Sequence, residues 1–69
     1  MNSSYIFLAN GFEEIEALTV IDVMRRAGMD VKSVSIHSDK KVTGAHGIEV
    51  TADLTFNECA FDGSDWLIT

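Results

Sequence analysis

The sequence predicts an α/β domain, with strands and helices alternating around a mostly parallel sheet, and three features carry that expectation. A short uninterrupted apolar run, Tyr5-Ile6-Phe7-Leu8-Ala9, ends at Asn10-Gly11, which is how a strand buried on both faces reads. The stretch from Glu13 to Ala27 contains no Gly or Pro and is closed by Gly28, a residue suited to the left-handed position that follows a helix. Val31-Lys32-Ser33-Val34-Ser35-Ile36 is then β-branched enough for a second strand. Strand, helix and strand with short joints make a βαβ unit, whose crossover is right-handed.

Further along, Val42-Thr43, the glycine-bracketed Gly44-Ala45-His46-Gly47 and Ile48-Glu49-Val50-Thr51 read as a hairpin. A polar stretch around Asn57 and Glu58 precedes Asp65-Trp66-Leu67-Ile68-Thr69, the start of another apolar strand. A buried parallel strand wants a helix after it, so the 69 residues are expected to form the first part of a larger α/β domain. With 46% apolar and 23% charged residues the composition is globular. The single cysteine and the absence of zinc-site spacing leave neither a disulfide nor a metal as a staple. The net charge of −6 repels phosphate backbones and anionic lipid, which argues against nucleic-acid and membrane partners. No apolar run approaches the roughly 20 residues of a membrane span, and Met1 to Tyr5 lacks a signal peptide's basic region. A cytoplasmic location is expected by default.

In open α/β sheets the functional crevice lies beyond the carboxyl ends of the strands. The turn Asn10-Gly11-Phe12-Glu13-Glu14-Ile15-Glu16 has one glycine and three carboxylates, which excludes a dinucleotide fingerprint and disfavours a phosphate. At about 100° per residue from Glu13, Phe12, Val23, Ala27, Val20, Met24, Ala17 and Ile21 fall in an arc from roughly 260° through zero to 80°. Glu14, Arg25, Asp22, Arg26 and Thr19 fall between roughly 100° and 240°, the polar face. Glu13 and Glu16 land inside the apolar arc. Glu13 either caps the helix by reaching back to Asn10 or leaves the arc. Glu16, with Phe12, Val20 and Val23 as helical neighbours, is expected to turn inward with a raised pKa, so that it donates a hydrogen bond to a thiolate or oxyanion. Ile15 and Leu18 on the polar face suggest a second packing partner. Cys59, beside Glu58, Asp62 and Asp65, lacks the surroundings of a reactive thiol. His46 is a candidate site residue at the hairpin tip, His37 a surface residue, and no metal site is expected.

The run from Asn10 to Thr19, continuing through Ile21-Asp22-Val23-Met24-Arg25-Arg26-Ala27-Gly28, resembles the opening of the ThiJ/PfpI superfamily, which includes the DJ-one-like parkinsonism-associated deglycase and its bacterial relatives. The resemblance extends through Val42 to Gly47, Ala52-Asp53 and Asp65 to Ile68. It implies a flavodoxin-like three-layer sandwich with a mostly parallel sheet, of which residues 1–69 would form the N-terminal part of one domain, and a homodimer through the first helix. It also implies a cysteine nucleophile on a strand-to-helix elbow, in the half absent from residues 1–69, hydrogen-bonded to a protonated glutamate that matches Glu16. Gly11, Glu13, Arg26 and His46 would line the pocket or the dimer seam; better-known members carry an arginine where this chain has His46. The implied activity is cysteine-dependent chemistry on a small reactive carbonyl, of glyoxalase or deglycase type, without cofactor or metal. The alternatives are a redox sensor or chaperone of the same family, and a PfpI-type intracellular peptidase. A phosphorelay receiver is disfavoured because Asp65 starts its strand.

Overall fold

The computed structural model of the chain describes residues 4–59 and the backbone of 66–68. Strand β1 (Ser4–Leu8) leads into helix α1 (Glu14–Arg26) and strand β2 (Val31–Ser35). Strands β3 (Lys41–Thr43) and β4 (Glu49–Thr51) form the hairpin, and β5 (Leu54–Thr55), a 3-10 turn over Phe56–Glu58 and β6 (Trp66–Ile68) complete the order. The sheet runs β5-β2-β1-β6 with every neighbour parallel, while β3 and β4 pair separately and antiparallel. Of the expected last strand, Asp65 and Thr69 lie outside the described residues.

Local chemistry explains the boundaries. Gly28 sits at φ 83°, and its N–H donates to Arg25 O (3.0 Å) while Met29 N–H donates to Met24 O (3.1 Å). This paired arrangement ends α1 and satisfies carbonyls that the helix leaves open. The helix carries Glu14 and Glu16 in its first turn and Arg25 and Arg26 in its last, which complements its dipole. Strand β5 and the 3-10 turn fall in what reads as a merely polar stretch. They are held locally: the Glu58 carboxylate accepts from Thr55 N–H (2.9 Å) and Thr55 Oγ1 (3.0 Å), a capping box around one turn.

Ile6 and Leu8 of β1, Ile21 of α1, Val31 of β2 and Val42 of β3 form the core, with Phe12, Ala17, Met24 and Val50 packed against it. The hairpin thus contributes its central valine to the space under α1. β1 is not buried on both faces as its apolar run suggests: Ser4, Ile6 and Leu8 are buried, whereas Tyr5 and Phe7 are half-buried. Among the described residues α1 covers one face only, and on the other Phe7 stacks on Phe56 at 6.0 Å between ring centroids.

One polar node ties three elements together. Asp53 Oδ2 accepts from Arg25 Nη2 (2.7 Å), Ser33 N–H (2.9 Å) and Ser33 Oγ (3.1 Å). Arg25 also donates to Val31 O through Nε and Nη2. Burial pushes the Asp53 carboxyl upward, but the Ser33 hydrogen bonds and the Arg25 guanidinium together hold it below the ordinary value. Arg25, on the polar side of the helix, therefore anchors the end of α1 to β2 and to the segment after β4.

Candidate functional site

Strand order reverses at β1, which has β2 on one side and β6 on the other. A reversal of this kind opens a crevice at the carboxyl ends of the strands, and the segment that leaves β1 there is strapped in place. Gly11, at φ 91°, lets the chain turn so that its N–H donates to Thr43 O (2.8 Å). Thr43 N–H donates to Asn10 Oδ1 (3.1 Å), and Ala45 N–H to Phe12 O (2.8 Å). Asn10 N–H donates to His37 Nε2 at 3.2 Å, so His37 is a half-buried strap on this turn, where the sequence suggests only a surface residue.

A pocket of about 260 Å³ opens between β1 and the start of α1, lined by Ile6, Phe7, Leu8, Glu13, Glu16, Ala17 and Val20. Two of the expected site residues, Glu13 and Glu16, meet in its wall. Glu13 is the residue before the helix and makes no side-chain cap; it is exposed and lines the pocket beside Ala17 and Val20 of the apolar arc. Glu16 reaches the pocket beside Ala17 and Val20, as the helical spacing implies, but it is exposed and not enclosed. Its apolar neighbours are themselves open, Val20 at 40% and Val23 at 57% exposure.

The reason lies in where α1 meets the sheet. The residues it turns inward are Glu14 and Ile21, flanked by the partly buried Ala17 and Met24, which centre at about 60° on the wheel. The middle of the apolar arc, at about 350°, is displaced from that direction. The arc therefore serves two surfaces: one packs on the sheet, and the other, with Glu16 and Val20, borders the pocket.

Glu14 is the residue that sequence reasoning missed. Placed on the polar face at about 100°, it is only 3% exposed. Its Oε2 accepts from His46 N–H (2.7 Å) and Ile48 N–H (3.3 Å), and its Oε1 lies 2.8 Å from His46 Nδ1. A Cβ on Gly44 would overlap this carboxyl group, so the glycine makes room for the acid. The His46 hydrogen bond, opposed by desolvation and aided by the backbone N–H groups of Glu14, His46 and Ile48, lowers the Glu14 pKa to about 2. His46 in turn is raised above its ordinary value by its hydrogen bond to Glu14 and by the charges of Glu14 and Glu13, against a smaller effect of desolvation. A signal for Glu14 did exist: it precedes Ile21 by seven residues and shares a stripe with Ala17 and Met24.

His46 does not line the pocket, but its donor atom and those of Glu13 and Glu14 all lie within 4.8 Å of one another. This spacing would suit a cation, yet both Glu14 oxygens are already engaged by N–H donors, so the group is a hydrogen-bonded pair with an acid beside it. Gly11 shapes the turn that leads to the pocket without lining it. Arg26 is elsewhere, at the far end of α1, where its Nε donates to Asp22 Oδ1 (3.0 Å) and Oδ2 (3.1 Å) on an exposed surface. It does not line this pocket. Cys59 is half-buried with Sγ 3.5 Å from Thr55 O. Burial and the neighbouring Glu58 raise its pKa, which makes it a poor nucleophile. No helix among the described residues is long and apolar enough to cross a membrane.

Residues 2–69 match the sequence model of the DJ-1/PfpI family. The chain is 39% identical over 51 residues to Protein DJ-1 homolog B of Arabidopsis thaliana, an alignment that spans 74% of this chain but 12% of that relative. In structure it superposes with a TM-score of 0.80 on a cysteine-to-alanine mutant of a DJ-1 superfamily protein from Salmonella typhimurium, at 36% identity over 84% of this chain and 31% of that one. Toxoplasma gondii DJ-1, solved oxidized, gives a TM-score of 0.77 at 33% identity over 86% of this chain and 34% of its own. The chain thus spans about a third or less of these relatives. Its fold is the flavodoxin-like α/β arrangement they share; the described residues supply four parallel strands and one helix of it.

Proposed function

This chain belongs to the DJ-1/PfpI family, and from that footing we propose that its pocket is one wall of a site where a cysteine thiolate, supplied by the rest of the intact protein, attacks a small electrophilic carbonyl. The observation that carries the reading is the position of Glu16, in the wall of a crevice at the carboxyl end of β1. A carboxyl group there donates to the thiolate once the rest of the domain encloses it, because loss of water favours its neutral form and only the neutral form has a proton to give. Stabilised in this way, the thiolate adds to the carbonyl carbon.

A second reading, a thiol that senses oxidants, draws support from the Toxoplasma gondii relative solved in oxidized form. Under either reading the first helix is the proposed seam of a homodimer, since it presents Ile15 (80% exposed) and Leu18 (40%) beside Asp22 and Arg26. The test is Glu16→Gln in the intact protein. We expect the thiol to titrate at higher pH and glyoxal turnover to fall, while folding is little changed. An unaltered thiol titration would remove Glu16 from the mechanism, and wild-type oxidation without carbonyl turnover would favour the sensor.

A further inference from the structure

Glu14 does more than fasten the hairpin. The two backbone N–H groups of the loop, from His46 and Ile48, are both taken by Oε2, and that alone secures the glycine-bracketed turn to α1. The other oxygen, Oε1, is committed to an imidazole whose side chain is 69% exposed. A buried acid holding an exposed ring gains little for packing. It does fix the ring's tautomer and direction.

We propose that Glu14 and His46 form a carboxylate–imidazole dyad whose His46 Nε2 is a proton acceptor beside the pocket wall that Glu13 lines. An ionised carboxylate can only accept, so the atom facing Oε1 at 2.8 Å, Nδ1, carries a proton. In the neutral ring the lone pair is therefore on Nε2, on the side away from the buried acid. This is the division of labour in hydrolytic triads, where a buried carboxylate orients a histidine and stabilises the imidazolium that forms. The charged groups acting on the ring are Glu14 from α1 and Glu13 from the turn before it. Glu13 also lines the pocket, so the dyad stands beside the proposed carbonyl site without blocking it. Both acids favour the protonated ring, which strengthens Nε2 as a base.

The step is a proton transfer. Under the carbonyl reading the glyoxal–thiolate adduct isomerises to a thioester by an internal proton shift that needs no oxidant. A water beside the ring then gives one proton to Nε2 while its oxygen adds to the acyl carbon, and the Nδ1 proton stays on the ring, hydrogen-bonded to Glu14. The C–S bond breaks, its electron pair leaves with the sulfur, and the imidazolium returns the proton to that sulfur as the hydroxy acid departs. What the dyad acts on rests on the carbonyl reading above; the dyad itself does not.

The test uses the intact protein with His46→Gln and Glu14→Gln, following the His46 ring by NMR titration and diethylpyrocarbonate modification alongside glyoxal turnover. We expect the ring to titrate above 6.5, its ordinary value, and to move down in Glu14→Gln. We expect His46→Gln to lower turnover by about 10²–10⁴-fold and to abolish the limb of the pH profile that follows the ring, with the thiol titration unchanged. A ring that titrates ordinarily and ignores Glu14→Gln overturns the dyad, as does full turnover with an unaltered pH profile in His46→Gln. Absence of glyoxal turnover in the wild type would instead sink the carbonyl reading, and the ring titration would still decide the dyad. Should Glu14→Gln fail to fold, His46→Gln and the wild-type titration suffice.

Discussion

Replacing Gly44 with alanine probes the seat of the buried acid directly. Gly44 is buried and outside the left-handed region, so its backbone accepts alanine. A Cβ built there would lie 2.5 Å from Glu14 Cγ and Oε2 and closer still to Cδ, a separation that packed atoms do not tolerate. Overpacking of this kind costs about 1–3 kcal/mol. Against it, alanine restricts the unfolded chain and returns about 0.4–1 kcal/mol. The collision wins, and Gly44→Ala should destabilise by about 1–2 kcal/mol, measured by urea unfolding of the intact protein. The decisive comparison is the same change in a Glu14→Ala background, where the atoms met by the new methyl group are gone. There Gly44→Ala should be neutral or stabilising, and the difference between the two backgrounds is the coupling energy. An equal cost in both would show that the glycine is needed for some other reason.

Other outcomes follow from the same geometry. The Glu14 contribution to stability is complete above pH 4.5 and drains away as pH falls toward about 2, whereas that of His46 is complete below 6.5 and fades as pH climbs past its raised value. The hairpin should therefore be held most tightly between about pH 4.5 and 6.5, read as hydrogen-exchange protection of the His46 and Ile48 amides. Leu8→Ala, at a site 2% exposed, should cost about 2–5 kcal/mol in urea unfolding, and a smaller loss would mean that the core closes around the gap. Asp53→Ala severs Arg25 from Ser33 and should cost about 1–2 kcal/mol after allowance for its partial exposure. Ile15→Glu should leave stability within about 0.5 kcal/mol yet shift the intact protein toward monomer in analytical ultracentrifugation; an unchanged dimer would place the seam elsewhere.

The strands and helix were legible because each carries its own punctuation. Gly28 marks the end of α1, and Gly11 the turn out of β1. The Glu14–His46 pair was not legible, for a physical reason: a helical wheel ranks residues by hydropathy, and an acid facing a hairpin looks the same as one facing water. What makes Glu14 inward is the pair of N–H groups from residues 46 and 48, more than thirty positions away, together with the space left by Gly44. Glu16 shows the converse. Of its apolar neighbours, Phe12 packs against the core, Val20 borders the pocket and Val23 is exposed, so spacing locates the side chain without fixing its burial. Strand β5 was missed because two residues are too few for any period to show.

The sheet order also bears on how the protein is made. Leu8 and its strand find their first partner, β2, after a single helix, but the opposite edge of β1 waits for Trp66 to Ile68, nearly the whole chain later. During synthesis that flank stays open on the ribosome, with an apolar strand offering unpaired hydrogen-bonding groups to any neighbouring polypeptide. The nascent segment is thus open to self-association along this edge until β6 emerges.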